Sequence, residues 1–554
     1  MRIRLRILLG VALAVAASAV ATVFATGAGA ARIAAAPTVT LLYGTAPDFL
    51  DPQLAYTTQG EEAGWVSYLG LYTYAHKNGA AGGAVIPGLA SGPPKVSNGG
   101  KTYTMTLRKG LVYSNGQAVK ASDFAYTIER ALKLNWGGAS FFTGYIVGAT
   151  DYSTGKAATI SGIKTNDATR TITIQTLIPY GAFPNILAFP SAGFVPTGTA
   201  MTNLSNTPPP GVGPYMITNV VPNVSWVGAI NPRYAKEAIP GVPVAKVTID
   251  AKVESNTTTE TEDVLSNSAD LFDTGDSIAP ALLAQIKTNA PHRYSTLPVV
   301  QNFYFFLNTK TKPFDNQLVR EAVTMAIDRN ALSRLDGGNL IPGCYFLPIG
   351  MIGHPTKPCP YGNPATSPTA ATIAKAKTLI AKAGDTGAAV TVWSETRSPR
   401  QQFATYYASV LTALGFNVTL KVLADHSYFP TIGNLSLNAQ TGFDDWNQDF
   451  PNPSDFYFLL DKNSIQATNN QNLSQVSDPK IQNALTKLEP IPSTQLKKYA
   501  ADWQALDYYA AQNAYELVYG YQTWPKFVST RINYKALVIQ LTYGWDWTSI
   551  QLAK

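Results

Sequence analysis

Cysteine is nearly missing from this chain: two in 554 residues, Cys344 and Cys359. Histidine is almost as scarce, with four copies at His76, His292, His354 and His426. None of the four sits in an HExxH or Cys-His pattern, so the spacing offers neither a zinc motif nor a Ser-His-Asp arrangement. A GxSxG elbow is also missing. Lys156 follows Gly155, but Thr150 and Ala157 stand where a phosphate loop needs glycine and a hydroxyl residue. Ser161 and Lys164 fit an S-x-x-K spacing without the KTG run that would accompany it in a penicillin-binding enzyme. Charge is sparse too, at 14% of residues. No dense Lys/Arg run follows the first turns of the chain, which argues against a nucleic-acid partner. No metal and no cofactor are expected.

What is present is a large folded chain, 45% hydrophobic, too long for a single core. Arg2, Arg4 and Arg6 precede an uncharged run from Ile7 to Ala31 that is rich in Ala, Val and Leu. Ala28-Gly29-Ala30 supplies small residues for cleavage before Ala31, so residues 1–30 read as a secretory signal peptide rather than a retained anchor. No cysteine lies there, so lipid anchoring through cysteine is not expected. The reading is export across the inner membrane to a periplasmic or cell-surface location, as a monomer. In an exported chain the pair Cys344 and Cys359 predicts a disulfide, since a thiol metal site would have only His354 nearby.

Along the chain, Lys101 to Arg108 alternates as a strand, and Ser122-Asp123 opens a helix. Gly64 to Tyr74 carries apolar residues at helical spacing. Val299 to Leu307 reads as a buried strand, and Leu318 to Ala331 as an amphipathic helix. Val390 to Trp393, Gln401 to Leu414 and Val418 to Val422 form a strand-helix-strand series, an α/β pattern. Leu496 to Leu517 reads as one long helix, and Phe527 to Leu552 as strands.

The stretch with the most chemistry is Phe443 to Leu460, FDDWNQDFPNPSDFYFLL. It places Asp444, Asp445, Asp449 and Asp455 among Phe443, Trp446, Phe450, Phe456 and Tyr457, and Pro451 and Pro453 forbid a continuous helix. Acid against ring surface suits a cationic group on an organic ligand. It also suits a solvated acidic turn.

Five runs, in order, resemble the peptide-type, family 5, solute-binding proteins of ABC importers. They are Gly44 to Pro52, Tyr103 to Phe124, Gly211 to Tyr215, Asn231 to Tyr234, and Asn308 to Arg329 with its PFD and AIDR pieces. The resemblance implies an α/β, two-lobed periplasmic-binding fold with an extra subdomain and hinge strands. Lobe I would comprise 38–71, 212–298 and 520–554, the extra subdomain 72–211, and lobe II 299–519, with crossings near Val299 and Gly520. It also implies a non-enzymatic receptor that closes on a peptide or similar small polar solute and serves ABC permease subunits.

In the peptide binders an aspartate in a W-x-x-D segment pairs with the ligand amine. Here that role falls on Asp449, with Trp446 lining the pocket. Arg397 or Arg400 would meet a ligand carboxylate or sit in a solvated turn. Trp393 would stack on the ligand or fill the core. Arg320, Asp328, Asp51 and Arg108 read as structural ion-pair partners. Ala46 departs from the pattern, since some oligopeptide binders carry an acid there. A carbohydrate or metal-chelate binder of the same fold, and an exported hydrolase, are the alternatives.

Overall fold

The strand Tyr294–Leu307 is the spine of the molecule, and its sequence says why. From Val299 to Leu307 every residue is buried, so both faces are covered and the usual alternation disappears. It pairs antiparallel with Glu516–Phe527 on one side and Thr441–Asn447 on the other. These three strands belong to a six-stranded sheet completed by Leu340–Pro342 at one edge and by Ala389–Glu395 and Asn417–Leu423 at the other. The last two run parallel and are joined by the helix Arg400–Leu414, which ends at Gly415 in the left-handed region with φ 103°. The computed structural model describes residues 36–234 and 238–554. The leader read from residues 1–30 and its cleavage site lie outside them.

A second, four-stranded sheet runs in the order Thr38–Tyr43, Thr248–Val253, Ser225–Ile230, Tyr215–Val221. Its core face carries Val39, Leu41, Trp226 and Ile249, all at most 1% exposed. The outer face places Leu42 against Val264, Phe272, Leu283 and Ile286. Tyr294–Leu307 and Glu516–Phe527 link the two sheets. Their early pairs, such as Leu297 with Trp524, lie toward the four-stranded sheet, where Val528 bridges Leu271 and Leu271 bridges Leu41. The register then shifts between Pro298 and Asn302 before the strands enter the larger sheet.

A third sheet, antiparallel throughout, takes Lys95–Ser97, Thr102–Thr106, Thr171–Gln175 and Ile163–Asn166. Its alternation is clean: Tyr103, Met105, Ile172 and Ile174 point inward. The helix Ser122–Lys133 buries Phe124, Ile128 and Ala131.

Four local expectations change. The helix near Gly64 runs from Thr58 to Ser67, and Tyr72–Tyr74 is a strand. The expected helix from Leu318 breaks at Ile327 and Asp328, both extended; Asp328 accepts hydrogen bonds from the N–H groups of Asn330 and Ala331 and starts a new helix, Arg329–Leu335. The long helix expected from Leu496 stops at Gln512, and Glu516–Phe527 is strand. The C-terminal segment has only the short strands Ile539–Gln540 and Gly544–Trp545. Pairings change as well. Arg320 donates to the carbonyls of Phe314, Asn513 and Ala514 rather than to Asp328, and Arg108 donates to those of Pro87 and Gly88.

Cys344 and Cys359 are joined, closing a loop of sequence separation 15. Restricting the unfolded chain over such a loop contributes about 3 kcal/mol. Replacing both cysteines with serine is therefore expected to lower the urea unfolding free energy by about that amount. A loss below about 1 kcal/mol would show that the bridge is energetically idle.

Candidate functional site

The acids of the Phe443 to Leu460 stretch sort themselves by their partners. Strand pairing sets Asp444 opposite Tyr304 and Asp445 opposite Phe303. Asp444 accepts the Tyr304 hydroxyl at 2.5 Å. Asp445 accepts Gln301 Nε2 at 2.8 Å and Arg400 Nη2 at 2.9 Å. Asp455 lies in the short helix Pro453–Tyr457, whose first turn tolerates Pro453 because no N–H is needed there. It turns back on the preceding loop, accepting the Asp449 N–H at 2.8 Å and the Trp446 indole N–H at 3.4 Å. That leaves Asp449. Its carboxylate accepts one hydrogen bond, from the Tyr56 hydroxyl at 3.0 Å. No cation bears on it, and burial pushes its carboxyl up to about 7, against the pull of the Tyr56 bond.

The facing wall comes from the opposite end of the chain. Asp48 folds the loop before the helix Thr58–Ser67 by accepting the N–H groups of Phe49, Tyr56 and Thr57 at 2.8, 2.9 and 3.3 Å. This fixes Tyr56, whose ring stands edge-on to Trp446 at 6.2 Å and to Trp136 at 5.3 Å. The Tyr74 hydroxyl lies 3.4 Å from the Asp449 carbonyl oxygen. On the helix, Glu62 accepts the Tyr43 hydroxyl, the Trp547 indole N–H and the Trp545 N–H at 2.7, 2.7 and 2.9 Å. Glu61 has no such partners. Its carboxyl is pushed well above the usual range by burial, and then by Asp449, Asp48 and Asp455.

The other candidate residues lie apart from this cluster. Arg397 donates to Asp276 Oδ1 at 2.5 Å, with Asp273 at 3.9 Å. Arg400 donates to Glu395 at 2.5 Å and to Asp445. Both side chains are largely enclosed, 12% and 13% exposed, and are matched by carboxylates of the chain. The Arg397 contact links the segment after Leu271 to the end of the strand Ala389–Glu395. It is tight: a Cβ on Gly44 would come within 1.5 Å of Asp276 Oδ2, so only glycine fits. The Thr45 hydroxyl bonds Asp425 in the same region. Burial works against ionisation of Asp425, but a Glu395 hydrogen bond and the Arg397 charge hold it at about 2.

Trp393 is 5% exposed and carries the Lys421 ammonium 4.2 Å from its ring centre, while Trp446 is 8% exposed beside Asp449. Two cavities, each with room for about one water at ≈ 10 Å³, lie along Cys344, Phe346 and Tyr515 and along Cys359, Tyr361 and Glu516, away from Asp449. Tyr56, Glu61, Tyr74 and Tyr543 escape sequence reading. The only available signal was the Gly60-Glu61-Glu62 acid pair on a helix otherwise without charge.

Residues 84–468 match the bacterial extracellular solute-binding proteins, family 5 Middle. The chain is 25% identical over 444 residues to the periplasmic murein peptide-binding protein MppA of Escherichia coli K12, covering 77% of each. It is 28% identical over 243 residues to the periplasmic oligopeptide-binding protein OppA of Salmonella typhimurium, where the match spans 42% of this chain and 43% of that protein. A solved structure of the E. coli murein tripeptide-binding protein MppA superposes with TM-score 0.78 at 22% identity, over 94% of this chain and 99% of that one. Against the unliganded open form of MppA, at 23% identity over 94% and 98%, the score falls to 0.65. Among the described residues no helix is long and apolar enough to cross a membrane.

Proposed function

Since this chain belongs to the family 5 bacterial extracellular solute-binding proteins, we propose that it captures an amine-bearing organic solute, a short peptide first of all, and presents it to the permease of an ABC importer. One observation carries this reading. Asp449 is a carboxylate in a ring-lined site, with a single hydroxyl for company and no cation. An ammonium is the group that completes it, in a charge-assisted hydrogen bond shielded from water. Tyr56 and Asp449 are 393 residues apart, in loops that follow the strands Thr38–Tyr43 and Thr441–Asn447 of different sheets, so a ligand seated there touches both halves and favours their closure. In this reading the halves are 38–71, 212–298 and 520–554, with 72–211 appended, and 299–519. The solute leaves unchanged, and the protein works outside the inner membrane. A carbohydrate would want exposed aromatic platforms, and Trp446 and Trp393 offer little open face.

Calorimetric titration with a short peptide and its N-acetylated form tests this directly. The free amine is expected to bind at least about tenfold more tightly. Equal affinity for the two forms would remove the amine from the site. Native mass spectrometry of freshly purified protein supplies the candidate solute.

A further inference from the structure

Glu61 and Glu62 are chain neighbours in opposite circumstances. Glu62 is held by three donors. Glu61, 5% exposed, accepts no hydrogen bond and meets no cation among the described residues. The charges that bear on it are all acids, and of these Asp48 and Asp455 are already taken up by backbone N–H groups. Asp449 is not. A separate observation marks the same spot. The Tyr543 hydroxyl is fully buried without a hydrogen-bond partner among the described residues, and Glu61 is the first charge acting on it. The Tyr543 ring stands 5.4 Å from Trp65 of the same helix and 6.0 Å from Tyr74, whose hydroxyl reaches the Asp449 carbonyl. An enclosed carboxylate without a donor and a buried hydroxyl without a partner are costly, so the pair calls for a group from outside. A single metal ion does not fit: among the described residues no three His, Cys, Asp or Glu groups converge closely enough to hold one.

We propose that Glu61 is a second ligand-binding carboxylate, and that the site takes a solute with two positive charges, one on Asp449 and one on Glu61 beside the Tyr543 hydroxyl. This rests on the amine reading of Asp449. A peptide with a basic first residue has this chemistry, and so does a diamine. Arg397 and Arg400 are already matched by Asp276, Glu395 and Asp445, so neither offers a free cation to these acids.

The test titrates wild type, Glu61→Gln and Asp449→Asn with Lys-Ala-Ala, Leu-Ala-Ala and 1,4-diaminobutane. Wild type is expected to prefer Lys-Ala-Ala over Leu-Ala-Ala by at least about tenfold, and Glu61→Gln to shrink that ratio to within about twofold. Asp449→Asn should weaken both peptides. A ratio that survives Glu61→Gln, or a wild type without preference, overturns the proposal. Binding of the diamine alone keeps the two-charge site and removes the peptide reading. Binding of none of the three removes both. Ligand-free Glu61→Gln should also melt about 2–4 °C higher, since it relieves an unpaired buried acid. A fall in melting temperature would give Glu61 a structural role instead and end the proposal.

Discussion

Asp449→Asn is expected to weaken binding of a free-amine peptide by more than about tenfold, and by on the order of a hundredfold if the ammonium is fully desolvated. Asparagine keeps the shape, and its amide oxygen still accepts the Tyr56 hydroxyl, so the loss isolates the charge. Calorimetry on the variant decides it, and unchanged affinity would take the amine role from this residue. The same carboxylate sets a pH dependence. In the empty site burial holds it near 7, while Glu61 shares the enclosure with Asp48, Asp455, Tyr56, Tyr74 and Tyr543. An α-amine stays protonated up to about pH 8. Below about 7 the ligand must therefore displace a proton from Asp449, and apparent affinity should fall up to about tenfold per pH unit toward pH 5. Affinity that rises on acidification would contradict this sign.

The largest expected loss of stability lies elsewhere, at Arg130 and Asp51. The guanidinium grips both oxygens of Asp51 at 2.6 Å, and neither side chain is exposed. Its remaining donors go to Gln53 Oε1 and to the carbonyls of Ala200 and Thr202, each at 2.8 Å. Asp51 also accepts the Leu204 N–H at 2.8 Å. Removing one partner leaves a buried, unpaired charge, so Arg130→Ala or Asp51→Ala should each cost about 3–5 kcal/mol. The double variant should cost well under the sum, because the two losses share one interaction. Urea unfolding followed by tryptophan fluorescence measures this cycle. Single-variant costs below about 1 kcal/mol would show that the pair is dispensable. Because this pair ties the Asp48 to Thr57 loop to the helix Ser122–Lys133, the weakened variants should also bind less well through a misplaced Tyr56.

The pairing of Asp51 with Arg130 also marks where sequence reading stops. Asp51 is visibly a structural acid in its Leu-Asp-Pro loop, but nothing local says that its partner is 79 residues away rather than at Arg108. The same distance problem hides Arg397, which finds Asp276 at a separation of 121. Periodicity served well where one face is wet, as in Thr102–Thr106 and Thr171–Gln175. It failed at Leu496 to Leu517. There Ala514 takes the left-handed conformation with φ 46° and ends the helical run, and the following strand is buried on both faces, so no alternation announces it. The proline argument for the Phe443 to Leu460 stretch was sound because it is steric and local. Glu61 was invisible because an acid in a helix is ordinarily a wet one, and only the tertiary fold turns it inward.

The contacts of Arg397 with Asp276, and of Thr45 with Asp425, have a further meaning. They are made by the protein to itself, yet under the proposed function they hold together parts that a cargo would draw in. On that reading, a receptor with such a clasp would spend part of its idle time looking full. Whatever reads its shape downstream must then tell occupied from vacant by a cue finer than outline, or accept occasional empty deliveries.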